Sequence, residues 1–176
     1  MNLSKARFDN WSKECENELN RHIVLEFEAS YQYLALFTYF DRDSVALENI
    51  AKYFQKSSEE ETEHATELIK YQNKRGGVIN FFNLSAPITE FDSSELKSNI
   101  LLAFEKALEM EQSVFSSLKR LHKVSDDAGD AQFCDYLESN FLEEQINANN
   151  EIAKYITKLE MIGLDGHGLY HFNQNF

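Results

Sequence analysis

In the stretch KSSEEETEHATEL, Glu61 and His64 stand three residues apart. On a helix that spacing stacks both side chains on one face, and a carboxylate with an imidazole is a donor pair that grips a transition metal. Further donors must come from neighbouring helices. Glu26 lies between Ile23 and Phe27 and seven residues before Tyr33, so a carboxylate and a phenol share an apolar face about 10 Å apart along the axis. Glu111 falls three residues after Leu108 and four before Phe115; Glu105 and Glu109 lie close by, and phase favours Glu111. Gln145 stands four residues after Phe141, with Glu144 beside it. An amide is a weak ligand.

These residues meet only if long helices carry them. One Pro and six Gly interrupt the chain, and apolar residues recur at intervals of three and four, so the expected fold is all-α. A first helix is expected from about Phe8 to Phe40, with Ile23, Phe27, Tyr31, Leu34 and Phe37 on its inner stripe. Ser44 caps a second that stops at Gly76-Gly77. The short connection makes the two antiparallel neighbours. Residues 78–92 hold no helical period and read as a crossover. Ser93 or Ser94 caps a third helix, with Leu101, Leu102, Leu108, Phe115, Leu118 and Leu121 inside, ending near Lys123. A fourth runs from about Ala131 to Met161, where Gly163 and Gly166 break it. The tail from Gly168 forms at most about two turns, which persist only if packed against something. Two hairpins joined by one long crossover form a ferritin-like four-helix bundle, here a single domain over residues 1–176 with a short C-terminal fifth helix.

The formal charge of -13 argues against a nucleic-acid partner, which needs a basic face, and favours cations. The start MNLSKARFDNW has no apolar targeting core, and no stretch approaches the roughly 18 apolar residues of a membrane span. Cys15 and Cys134 lie far apart without metal-site spacing, so reduced thiols in a cytoplasmic, unexported protein are expected.

At these residues the chain resembles the ferritins, specifically the catalytic heavy-chain type of animals. The likeness runs over nearly the whole length, through LEFEASYQYL, YFDRDSVALENIAKYF, SSEEETEHATELIKYQNKRGG and CDYLESNFLEEQ. Carried over by position, it places ferroxidase ligands on Glu26, Glu61, His64, Glu111 and Gln145, with Tyr33 as the nearby catalytic tyrosine. It implies iron storage and detoxification: Fe(II) is oxidised by O2 or peroxide at a transient di-iron centre, and Fe(III) is mineralised inside a hollow shell of 24 subunits.

The residues support iron independently. Glu26, Glu61 and His64 give one ion three good donors, and Glu61 would bridge to a second beside Glu111. An open imidazole and carboxylate site suits non-haem Fe(II), whereas structural zinc sites are closed and richer in Cys. Di-iron oxygenases of this broad fold carry Glu-x-x-His on two helices. This chain has one, so its iron should be weakly held and pass through as substrate. A non-catalytic helical shell subunit, or an oxygenase acting on an organic substrate, are the alternatives.

The resemblance also implies iron nucleation at Glu59, Glu60 and Glu63, and a three-fold channel at Asp135 and Glu138 with Cys134 beside them. Two stretches depart from the family pattern. ITEFDSSELKSN is several residues longer than in animal heavy chains, and GLDGHGLYHFNQNF is shorter than the family's fifth helix. His167 and His171, four apart, are read as part of a short frayed tail, and His22 and His122 as ordinary packing or surface residues without metal partners at helical spacing.

Overall fold

A computed structural model describes residues 4–91, 95–162 and 166–176. Four long helical stretches form the expected antiparallel bundle: α1 (Lys13–Phe40), α2 (Glu48–Lys74), α3 (Leu96–Asp127), and a fourth made of α4 (Ala131–Leu137), a π-helical turn (Glu138–Leu142) and α5 (Glu143–Met161). The residues flanking the π turn keep right-handed helical dihedrals, so α4 and α5 run on as one rod. A short α6 (Gly166–Gln174) follows. α1 packs on α2 and α3, and α3 packs on α4 and α5.

Several boundaries differ from the sequence expectation. α1 starts at Lys13, because the Ser12 side chain accepts the Cys15 N–H and caps it there. Residues 4–12 instead fold across the end of the bundle, passing so close to Gly76 (φ 77°) that a Cβ there would lie 2.5 Å from the Arg7 Cα. Ser44 does not cap α2: a turn with Ala46 at φ 52° intervenes, and the helix begins at Glu48. The third cap expected at Ser93 or Ser94 lies outside the described residues, as do part of the lengthened segment and the Gly163 break. α3 continues past Lys123 to Asp127, since the turn is left to Ala128, Gly129 (φ 70°) and the α4 N-cap Asp130.

The crossover is held on α1 by polar side chains. Gln32 exchanges two hydrogen bonds with the Ile88 backbone, Glu28 accepts from the backbone and hydroxyl of Ser85, and Asn20 bonds Val78 and Asn80. The buried stripe of α1 also differs from the one expected. Leu19, Ile23, Glu26, Tyr33, Leu36 and Phe40 face the core, while Tyr31 and Leu34 are exposed. Leu102 is likewise exposed, not interior. The tail meets its condition for persisting: Leu169 and Phe172 are buried, and Asn173 accepts from the Ile50 N–H, so α6 is docked rather than frayed.

The core forms two apolar bodies. One gathers Tyr33, Leu36, Phe40, Phe54, Phe104 and Ile152; the other gathers Trp11, Leu19, Leu68, Leu118, Phe133 and Phe141. Between them lies a polar layer.

Candidate metal centre

The polar layer is where the candidate ligands converge. α1 contributes Glu26 and Tyr33, α2 contributes Glu61 and His64, α3 contributes Glu111, and α5 contributes Gln145. All but His64 are buried, and His64 is half-buried. One ligand atom from each of Glu26, Glu61 and His64 lies within 4.8 Å of the others. Glu26 Oε2 and Glu61 Oε2 are shielded from solvent and have no hydrogen-bond partner among the described residues, and Glu61 Oε2 has only the longer ion-pair contact to His64 Nδ1, at 3.4 Å. Buried carboxylate oxygens without partners are costly, and a cation between them removes that cost.

Glu111 and Gln145 are bonded to each other across the same cavity. The Gln145 amide donates to a Glu111 side-chain oxygen and, at 3.1 Å, to its backbone carbonyl. Tyr33 Oη donates to the other Glu111 oxygen. A cavity of about 150 Å³ joins Tyr33, Glu61, His64, Glu111 and Gln145, and Lys56, Glu60 and Glu144 also line it.

The electrostatics are those of a crowded acidic layer. Burial raises the Glu26 carboxyl, and burial together with the Glu26 charge pushes Glu61 up to about 8. Burial and Glu61 raise Glu111 to about 7, against the opposing bonds from Tyr33 and Gln145. For His64 burial disfavours the charged ring, but the adjacent Glu61 carboxylate outweighs it and raises the imidazole to about 9. Protons therefore stand where cations would relieve the same repulsion.

Two neighbours are not evident from the sequence pattern. His22, expected as an ordinary packing residue, is fully buried beside Glu26, its Nε2 2.8 Å from Glu26 Oε1. Its signal is the spacing: Glu26 stands four residues after His22 on the same helix. Desolvation pushes the His22 pKa down to about 3, leaving a neutral ring. Glu144, in the sequence simply the neighbour of Gln145, reaches within 3.4 Å of His64 Nε2.

Of the remaining candidates only Glu60 reaches the cavity; the others stay apart from the centre. Glu59 and Glu63 are exposed on α2, while the half-buried Glu60 pairs with Lys56 at 2.8 Å. Asp135 and Glu138 are exposed at the other end of the fourth helix, where Glu138 lies 2.6 Å from His122 Nε2. His122 thus has an acidic partner, from a different helix. Exposed His167 and His171 bring ring nitrogens within 3.2 Å on α6.

The family model described as "Ferritin-like domain" matches residues 16–162. Among curated proteins, the chain is 48% identical to "Ferritin-2, chloroplastic" of Zea mays over 161 residues, 92% of this chain and 64% of the maize protein. It is 46% identical to "Ferritin-3, chloroplastic" of Vigna unguiculata over 173 residues, 98% of this chain and 66% of that protein. It is 45% identical to "Ferritin, chloroplastic" of Malus baccata var. xiaojinensis, covering 98% of this chain and 68% of the relative. The chain thus spans about two thirds of the length of these relatives.

Proposed function

Taking as premise that the chain belongs to the ferritin family, we propose that it is a heavy-chain-type ferroxidase subunit, oxidising Fe(II) with O2 or peroxide for storage as Fe(III). One observation carries this reading: Glu26, Glu61 and His64 converge from two helices in a buried layer, where one oxygen each of Glu26 and Glu61 is enclosed without a hydrogen-bond partner among the described residues.

Fe(II), the substrate, enters a site of carboxylates and one imidazole. Hard anionic oxygens stabilise Fe(III) more than Fe(II) and so favour loss of an electron. Metal binding displaces the protons that the raised pKa values of Glu61 and Glu111 retain. A second ion finds a weaker set, Glu61 shared with Glu111 and the Gln145 amide, and two adjacent ions supply O2 with electrons in a pair. The weak second set suits iron that leaves after oxidation. A resident-iron oxygenase would want a second imidazole there.

The exposed apolar Tyr31, Leu34, Phe81 and Phe82 on α1 and the crossover support self-association into a hollow shell, with 24 subunits as the proposed count. Glu59, Glu60 and Glu63 are proposed for nucleation, and Asp135 and Glu138 for an entry channel between copies. No helix among the described residues is long and apolar enough to cross a membrane. Cytoplasm is the proposed compartment; the chloroplastic names of the relatives set a plastid against it, and cell fractionation decides.

The test mixes metal-free protein with about two Fe(II) per chain in air and follows Fe(III) absorbance, beside a Glu61→Ala, His64→Ala variant. A fast phase lost in the variant supports the centre. Equal slow oxidation by both overturns it and leaves the non-catalytic shell subunit.

A further inference from the structure

His22 takes no part in the proposed chemistry, yet it is the titratable side chain most fully enclosed against it. It is 0% exposed, with Nδ1 3.0 Å from Ser117 Oγ of α3 and Nε2 2.8 Å from Glu26 Oε1. Ser117 is itself buried. A neutral imidazole carries one ring proton. With the Ser117 hydroxyl donating to Nδ1, that proton sits on Nε2, against the carboxylate. The approach to Glu26 is not in line, and Nε2 has no other partner among the described residues.

His22 lies outside the three-residue group whose ligand atoms fall within 4.8 Å of one another. It therefore acts through Glu26 rather than on the metal. We infer that His22 is a positioning residue: braced by Ser117, it holds one oxygen of Glu26 and leaves the other, unpartnered oxygen free for the cation. Partners of this kind fix the orientation of a ligand and are commonly worth about 10–100-fold in metal affinity. The Ser117 contact ties His22 of α1 to α3, so the ligand is set before any ion arrives. This inference rests on the metal-centre reading above.

The test is an anaerobic Co(II) titration of the full chain, followed by visible absorption, which reads metal binding without oxidation. Wild type is compared with His22→Leu, His22→Gln, Ser117→Ala and the Glu61→Ala, His64→Ala variant. His22→Leu should bind Co(II) about 10–100-fold more weakly with a changed absorption band. His22→Gln, whose amide can still donate to Glu26, should restore most of the affinity and the wild-type band. Ser117→Ala, a single lost hydroxyl, should weaken binding even if His22→Leu fails to fold. Wild-type affinity in both His22→Leu and Ser117→Ala, or equal weakness of the Gln and Leu variants, overturns the role of His22 alone. Wild-type binding by the Glu61→Ala, His64→Ala variant overturns the centre itself and His22 with it.

Discussion

Tyr33 of α1 donates its phenolic proton to Glu111 of α3, 78 positions away, and both line the cavity of the proposed metal centre. The phenol supplies Glu111 with a fixed donor, opposing the rise that burial imposes on the carboxyl. Replacing Tyr33 by Phe should cost about 1 kcal/mol of stability and let the Glu111 pKa rise further. Fast iron oxidation should slow several-fold at pH 6 and recover towards pH 8, as stopped-flow traces at the two pH values would record.

Gln145 places an amide where a resident-iron site would hold a stronger ligand. Gln145→His should convert iron in transit to iron retained. Protein loaded with Fe(II) and passed through a desalting column should keep more than wild type, while turnover beyond the first two ions slows. Metal analysis of the eluate measures the first effect and oxygen uptake the second.

Metal-free protein should lose stability as pH rises. Glu61 (about 8), Glu111 (about 7) and His64 (about 9) all sit above their ordinary values of 4.5 or 6.5. The folded state therefore holds more protons than the unfolded one, and each contribution is present below the ordinary pKa and fades as pH climbs through the raised one. The buried His22 works in the opposite sense, withdrawing stability as pH falls below 6.5 towards about 3. Thermal unfolding should show Tm falling between pH 6.5 and 9, less steeply in Glu61→Gln, and Co(II) should flatten the fall.

Arg75 is buried against the fully enclosed Asp130, which also caps α4, and it bonds Tyr71 and Asn10. Removing one partner of such a pair strands the other. Arg75→Ala should cost about 3–5 kcal/mol in chemical denaturation, with the rate of iron oxidation unchanged, because none of these partners is a centre residue.

Phe172 anchors α6 on Phe104 and Tyr155. Phe172→Ala should cost about 3–5 kcal/mol and accelerate amide exchange across residues 166–174 before it affects α1.

Helix number, order and crossover are legible in apolar period and scarce Gly and Pro, because those patterns express packing demands directly. The centre is legible because an acid inside an apolar stripe is expensive to bury unless a cation or a donor meets it. Less visible are features set by contacts between elements. Ser44 has the chemistry of a cap, but the turn at Ala46 moves the helix start to Glu48. Tyr31 and Leu34 have the period of a core, but the face of α1 that packs on α2 and α3 lies round the helix from them. His22 has its partner one turn away, yet spacing alone does not reveal that both are enclosed.

The π turn at Glu138–Leu142 works as a phase adjuster. Phe133, Leu137, Phe141 and Gln145 are all buried, at successive steps of four. An unbroken α-helix turns about 100° per residue, so twelve residues would carry Gln145 about 120° round from Phe133. The wider turn absorbs most of that drift, which is why Gln145 still meets Glu111 while Phe133 stays beside Trp11. Downstream, Ile152 and Leu159 follow at steps of seven, which need no correction. Within one continuous rod, the π turn thus offsets the bearing of the segment carrying Asp135 from that of the segment carrying Gln145, so that each presents its buried face to the neighbour it packs on.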